Sequence, residues 1–192
     1  YNYIYDKNYS NNLNNIRIFG AINFFDTKVE IKNMNFKNLS SEDSLNIINS
    51  SFDLRNLNFE NIKSDAIDID FSNGRISEVN LKNIGNDALD FSGSEVIINN
   101  INSAFVADKV ISSGENSKLK INNLTSKNAF IGIANKDGSN LVATNLSFDN
   151  VEISFASYLK KDIYDQSFTD VSNFKSINTK KMYLLTKNSK LI

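Results

Sequence analysis

The 192-residue chain contains no cysteine, no histidine, no proline and no tryptophan. The lack of cysteine excludes disulfides and leaves the redox compartment undetermined. Without histidine or cysteine the chain cannot build a Ser-His or Cys-His nucleophile, and a structural zinc site is effectively excluded as well. Any chemistry must therefore come from carboxylates, lysines, tyrosines and amides.

The chain also lacks an excess of one charge, because it has 21 basic and 22 acidic residues and a net charge of −1. This balance favours neither nucleic acid nor an anionic membrane as a partner. The longest apolar runs are only a few residues, so we predict no membrane span. The chain begins at Tyr1 without a secretory signal, and we expect it to be an excised domain or a mature fragment.

What the sequence does contain is a repeat of about 22 residues. Similar hexapeptides begin at Asp43, Asp65, Asp87, Asp108, Phe130 and Glu152, and they read DSLNII, DAIDID, DALDFS, DKVISS, FIGIAN and EISFAS. Apolar residues within them stand two apart, as Ile67 and Ile69 do, which is the spacing of a β-strand. Clusters of Gly, Ser, Asn and Asp separate the strands. Short strands repeated at this period predict a solenoid in which each repeat is one rung.

Two asparagine columns keep nearly the same step and support this interpretation. The first column contains Asn33, Asn56, Asn100, Asn123, Asn145 and Asn173, with Glu78 as an interruption. The second column contains Asn38, Asn61, Asn83, Asn128, Asn150 and Asn178, with Phe105 as an interruption. Asparagine tolerates the left-handed conformation of tight turns, and stacked amides hydrogen-bond along the axis. We therefore predict an all-β, right-handed parallel β-helix of about seven to eight rungs over residues 16–192, with residues 1–15 as an N-terminal cap or a linker remnant.

Aspartates crowd one strip of the predicted surface. Asp65, Asp87 and Asp108 open successive repeats, whereas Asp68 and Asp90 alternate with inward apolar residues and so point outward. One interpretation is turn chemistry, in which each opening aspartate accepts backbone N–H groups. The other is a Ca²⁺ site formed by these five carboxylates, because charges about 5 Å apart repel strongly unless a cation or a proton relieves them.

One repeat near the C-terminus carries an insertion, residues 159–166, and insertions in solenoids often lie on the binding face. Asp137, Tyr158, Lys160 and Lys161 lie beside or within this insertion and are the predicted substrate-binding residues. An exposed tyrosine can stack on a sugar ring. Packing of the loop onto the solenoid is the simpler explanation of Tyr158.

The segments GNDALDFSGS, ADKVISSGENS and FIGIANKDGSN resemble rungs of the right-handed β-helix family that includes pectate-lyase-like proteins. They resemble more closely the β-helix modules of large bacterial surface or secreted proteins. The resemblance implies a fold more than an activity, because β-helices host lyases, hydrolases, epimerases, phage spikes and passive stalks. In the lyases, carboxylates hold Ca²⁺ against a uronate while a lysine or arginine abstracts the C5 proton. By this resemblance Lys109 or Lys136 would be the base and Asp90 a catalytic carboxylate.

Other features of the sequence depart from the lyases. It shows no basic cluster for a substrate clamp, and its only arginines are Arg17, Arg55 and Arg75. Seven rungs form a rod only about 35 Å long, and no long loops are present to wall a cleft. We therefore predict a non-catalytic module of a larger extracellular bacterial protein that binds glycan or cell-surface material. The alternative is a polysaccharide lyase or glycoside hydrolase that uses the Asp/Lys strip with Ca²⁺.

Overall fold

The computed structural model describes residues 12–13, 16–17, 19–186 and 189–192, and these residues form strands and no helix. The strands are β1 (Asn12–Leu13), β2 (Ile16–Arg17), β3 (Gly20–Phe25), β4 (Lys28–Lys37), β5 (Asp43–Ile48), β6 (Ser51–Ile62), β7 (Asp65–Asp70), β8 (Asn73–Ile84), β9 (Leu89–Ser92), β10 (Glu95–Gly114), β11 (Lys118–Lys136), β12 (Asn140–Tyr158), β13 (Phe168–Ile177), β14 (Lys181–Leu185) and β15 (Lys190–Leu191). The described residues contain no helix that is long and apolar enough to cross a bilayer.

Strand pairing confirms the predicted parallel solenoid. Apart from the antiparallel pair β1–β2, strands pair in parallel with those one repeat before and after them, as Ile67 does with Leu45 and Leu89. The result is a solenoid of about eight turns. The right-handed winding stays a prediction, and it is the sense that nearly all parallel crossover connections take. The predicted cap, residues 1–15, lies outside the described residues except for β1.

Each rung has three faces, which we number in chain order. Face 1 comprises residues 20–25, 43–48, 65–70, 87–92, 109–114, 131–136, 153–158 and 181–185. Faces 2 and 3 follow along the remainder of each rung. On β11, for example, face 2 is 118–122 and face 3 is 124–127, with Asn123 at φ 60° between them.

Both predicted asparagine columns lie at corners of the rungs. All members, including the interrupting Glu78 and Phe105, have φ between 50° and 60°. The amides bond along the axis: Asn61 Nδ2 donates to Asn38 Oδ1 at 3.0 Å, and Asn123 Nδ2 donates to Asn100 Oδ1 at 2.9 Å. The asparagine ladder predicted from the sequence is therefore confirmed, with each amide both turning the backbone and linking adjacent rungs.

Two further ladders were not predicted. A buried serine column marks the corner between face 1 and face 2, where the N–H of Ser72 donates to Ser94 Oγ at 3.0 Å and the N–H of Ser94 donates to Ser117 Oγ at 3.1 Å. The column contains Ser50, Ser72, Ser94, Ser117 and Ser139. A third asparagine ladder runs mid-strand along face 3 through Asn35, Asn58, Asn80 and Asn102.

The core consists of stacked apolar side chains inside the rungs. Ile47, Ile69 and Phe91 form one such stack, and each is fully buried. Phe36 and Phe59 stack with their ring centroids 4.3 Å apart. Because full burial of one such side chain stabilises the fold by about 1.5–3 kcal/mol, these ladders supply most of the stability and hold face 1 rigid.

One predicted alignment is wrong. The sequence pattern placed Asp108 level with Asp87, but Ser112 pairs with Asp90, so the residue level with Asp87 is Lys109. An irregularity between Val106 and Lys109 absorbs the extra residue. Asp108 therefore stands at the corner before face 1, and the charge of the opening column changes sign at this rung.

Candidate functional site

Face 1 differs from the other two faces because its outward side chains are recessed. On β11 the outward Lys118, Lys120 and Lys127 of faces 2 and 3 are exposed, whereas every residue of face 1 on that strand, 131–136, is buried. The same change from alternating exposure to continuous burial occurs on β10 and β12. Polar groups sheltered from solvent are where directed chemistry is strongest. Face 1 is thus the candidate site.

Three outward columns run along face 1. The second and third residues of face 1 in a rung both pack into the core, as Ala66 and Ile67 do. The side chains that point outward are therefore those of the first, fourth and sixth residues of face 1 in each rung. The opening column is Asp43, Asp65, Asp87, Lys109, Ile131 and Ile153. The middle column is Asn46, Asp68, Asp90, Ser112, Ala134 and Ala156. The last column is Ile48, Asp70, Ser92, Gly114, Lys136 and Tyr158. The face is therefore acidic at its N-terminal rungs, basic in the middle and apolar at its C-terminal rungs.

The opening aspartates bind the backbone of the next rung. Asp65 Oδ1 accepts the N–H of Asp87 at 2.9 Å, and Asp87 Oδ1 accepts the N–H of Lys109 at 3.0 Å. For these two residues the turn-chemistry interpretation holds. Lys109 Nζ also lies 3.2 Å from Asp87 Oδ1 and contacts Asp108. Burial alone would lower the pKa of Lys109, but its bonds to Asp108 and Asp87 outweigh burial and raise it. A lysine that holds its proton so firmly is poorly suited to be the predicted proton-abstracting base.

The acidic rungs hold carboxyl groups that resist ionisation. Burial, followed by the charges of Asp70 and Asp43, raises the pKa of Asp68 to about 9. Burial is also the main cause that raises the pKa of Asp43 to about 7 and those of Asp65 and Asp70 to about 6. Among the described residues, the ion pairs include none of Asp43, Asp65, Asp68 and Asp70, so no basic side chain offsets the effect of burial at close range.

A buried amide sits among these carboxyls. Asn46 is only 5% exposed, and its Nδ2 donates to Asp68 Oδ2 at 3.0 Å and to Asp43 Oδ2 at 3.3 Å. Its Oδ1 is buried and has no hydrogen-bond partner. An unpaired buried acceptor costs about 1–3 kcal/mol, so this end of the face has capacity for one more donor.

Lys136 is the second lysine of face 1, and its environment is the opposite of that of Lys109. Its side chain is buried and lies across Gly114 to donate to Ser112 Oγ at 2.8 Å. Burial lowers its pKa, and the charge of Asp90 opposes this effect only partly. Of the two predicted bases, Lys136 is therefore the one whose pKa is shifted in the direction that a base requires.

The predicted metal ligands do not converge. Asp65, Asp68, Asp87 and Asp90 occupy two columns and two adjacent rungs of face 1, and Asp108 lies off it. Within the described part of the chain, no three Asp or Glu side chains come close enough to hold a metal ion. Calcium takes six to eight oxygen ligands, so the geometry lends the calcium site no support and that site stays a prediction.

Most of the predicted substrate-binding residues serve the inserted loop, residues 159–166. Asp137 Oδ1 accepts the N–H of Lys160 at 2.6 Å and that of Lys161 at 2.8 Å, so it anchors the loop. Lys161 Nζ pairs with Glu115 at the neighbouring corner. Tyr158 alone lies on face 1, where it packs on the outer apolar cluster of Ile131, Ala134, Ile153 and Ala156. The loop therefore lies at the corner beside face 1.

The sequence interpretation missed exposed phenylalanines at the corners that border face 1. Phe71 is 62% exposed and Phe105 is 55% exposed, and both have positive φ, 47° and 60°. A Cβ added to Gly93 would lie 2.6 Å from Phe71 Cδ1, so the ring of Phe71 lies directly over this glycine. A bulky residue with positive φ is strained by about 1 kcal/mol or more, and such strain concentrates at functional positions. The sequence did contain a signal for Phe105, because this residue replaces asparagine at a corner position of the repeat.

A further surface depression lies outside face 1. A shallow depression of about 340 Å³ on face 3 is lined by Asn58, Glu60, Asn80 and Lys82, among others. These groups already satisfy one another: the amides form the face 3 ladder, and Glu60 pairs with Lys37 and Lys82. Face 1, which contains the unpaired Oδ1 of Asn46, therefore stays the candidate site.

Fold and site together define the class of this protein, a parallel β-solenoid of about eight rungs with a recessed, charge-graded face. No protein-family model and no curated protein matches the chain. The functional argument rests on the residues of face 1.

Proposed function

We propose that the chain is a glycan-binding solenoid module and that face 1 is its binding face. The observation that carries this proposal is a row of buried and half-buried polar side chains on β5, β7 and β9, bordered by the exposed ring of Phe71. Sugar rings present hydroxyl groups at their edges and C–H groups on their faces. Carboxyl, amide and hydroxyl side chains match the edges, and an exposed aromatic ring matches the face.

The dimensions of face 1 support an oligosaccharide. Six rungs from Asp43 to Tyr158 span roughly 24 Å along the axis, enough for several sugar units in a row. The acidic rungs offer hydrogen-bond acceptors, and the outer apolar cluster beside Tyr158 offers a second nonpolar platform. The rigid ladders beneath keep these groups in place, which reduces the entropy lost on binding. We further propose that the module belongs to a larger extracellular bacterial protein.

A catalytic role is the second candidate, and the ionisation of Asp68 favours it. With a pKa of about 9, Asp68 keeps its proton at neutral pH, as a general acid must. Asp90 lies one rung away in the same column, at the roughly 5 Å spacing typical of retaining glycoside hydrolases. Lys136, with its lowered pKa, would instead serve as the base of a lyase.

The test of the proposed function compares the wild-type chain with Phe71→Asn on a panel of immobilised glycans that includes uronate polymers, β-glucans and amino-sugar oligomers. Phe71→Asn removes the ring and installs a residue that tolerates positive φ. We expect it to raise the free energy of unfolding by about 1 kcal/mol and to weaken glycan binding at least tenfold.

Glu78→Asn is the matched control. Glu78 also has positive φ, 58°, but lies at the corner between faces 2 and 3. We expect a similar gain in stability with unchanged binding. The proposal is refuted if no glycan on the panel is retained by the wild-type chain, or if both variants lower the affinity equally.

A further inference from the structure

The acidic end of face 1 combines features that suit an organic cation. Asp68 and Asp70 stand in adjacent columns of one strand, and the exposed Phe71 follows directly. An ammonium group is attracted both to carboxylates and to the face of an aromatic ring. A metal ion would instead need several converging oxygen ligands. Among the described residues, no three Asp or Glu side chains come close enough together to hold one.

A second, independent observation is the unpaired acceptor of Asn46, which lies one rung before Asp68 in the same column. Asn46 is only 5% exposed. Its Nδ2 donates to Asp68, and its Oδ1 has no hydrogen-bond donor. A ligand that brings N–H groups to this cluster would supply donors where the described structure holds an excess of acceptors. A ligand with only hydroxyl or carboxylate groups would bring no positive charge to the carboxylate of Asp70.

The cations already present are engaged elsewhere. Lys109 bridges Asp87 and Asp108, one and two rungs beyond the acidic end. Lys161 pairs with Glu115, and among the causes acting on the pKa of Asp70 it is the weakest, behind burial, Asp90 and Glu115. Neither of these described lysines is a close cationic partner of Asp68 or Asp70.

We propose that Asp68, Asp70 and Phe71 bind the protonated amino group of a de-N-acetylated amino sugar. This inference rests on the proposed glycan-binding function and names the ligand class for the same face. The amino group lies against the carboxyls and the ring of Phe71, and the sugar units continue along face 1 toward Ser112 and the outer apolar cluster.

The test is calorimetric titration at pH 6.0 with a glucosamine hexamer and with the corresponding N-acetylglucosamine hexamer, which share a backbone and differ in the amine. We expect the glucosamine hexamer to bind the wild-type chain at least tenfold more tightly. Asp70→Asn, which keeps the side-chain shape and removes the charge, should reduce this preference below threefold. Asp68→Asn replaces a carboxyl that is already protonated at this pH and should preserve the preference. Asp170→Asn, on face 2, is the matched control and should leave the preference unchanged.

Each other outcome has a defined meaning. Equal binding of both hexamers overturns the inference and leaves the glycan-binding function standing. No binding of either hexamer overturns the inference, and the glycan panel then decides the function separately. If spermine, an amine without sugar, binds as tightly as the glucosamine hexamer, the amino-sugar assignment is wrong. If Asp170→Asn lowers the preference as much as Asp70→Asn, the attraction is nonspecific and the site is wrong.

Discussion

Asp68 makes the stability of the solenoid depend on pH, and Asp68→Asn tests this directly. The folded chain holds the carboxyl of Asp68 with a pKa of about 9, far above its ordinary value of 3.8. Between these two values the folded state keeps a proton that the unfolded state releases, so stability falls as pH rises. Asparagine has the same shape, can still accept the bond from Asn46, and does not ionise.

The magnitude follows from the same values. For each pH unit between 3.8 and 7, the raised pKa of Asp68 lowers the free energy of unfolding by about 1.4 kcal/mol. The destabilisation by Asp68 at pH 7 therefore has an upper limit of about 4 kcal/mol. Asp68 is only partly buried by surface area, so solvent reduces this figure. We expect Asp68→Asn to raise the free energy of unfolding by roughly 2–4 kcal/mol at pH 7 and by less than about 0.5 kcal/mol at pH 4.

The assay is urea unfolding followed by circular dichroism at both pH values, because the chain contains no tryptophan. Asp170→Asn on face 2 serves as the control and should change stability by less than about 0.5 kcal/mol at either pH. A destabilised Asp68→Asn at pH 7, or an equal gain at pH 4 and pH 7, would refute the reasoning.

Three further predictions concern the neighbours of this site. Lys109→Met leaves Asp87 buried without its cation, so we expect a loss of about 3 kcal/mol at pH 7 by urea unfolding and a smaller loss at pH 4; equal losses would contradict the ion pair. Asp137→Ala removes the acceptor of two loop N–H groups, so a lysine-specific protease should cleave the inserted loop about tenfold faster; an unchanged rate would show that the anchor is unimportant. Ser94→Ala leaves the N–H of Ser72 unpaired in the serine column, and we expect urea unfolding to show a loss of about 2 kcal/mol; a neutral result would mean that the ladder adds nothing.

The architecture was predictable because its determinants repeat along the chain. Period-two apolar residues fix the strands, and the asparagine columns fix the corners, where a residue that tolerates positive φ is required. The serine column escaped notice because serine is common in any loop and its buried bonds join residues 22 or 23 positions apart. The shift at Asp108 was invisible for a different reason: aspartate and lysine are adjacent there, and only strand pairing shows which one opens the rung.

The candidate site was predictable as a strip but not as a set of interactions. Asp68, Asp90 and Lys136 do lie together on face 1, as their spacing indicated. The sequence could not show that Lys109 would be bridged by Asp87 and Asp108, since a one-residue change in register decides it. The corner phenylalanines were overlooked because an exposed aromatic looks like a core residue until its burial is known.

The most direct test of the central claim is a backbone NMR titration of the full chain with the glucosamine and N-acetylglucosamine hexamers. If face 1 is the glycan-binding face, the perturbed amides should cluster within residues 65–71, 87–93 and 109–114. Amides on faces 2 and 3 of the same rungs should keep their shifts. Perturbations centred on the face 3 asparagine ladder, or none with either hexamer, would contradict the account.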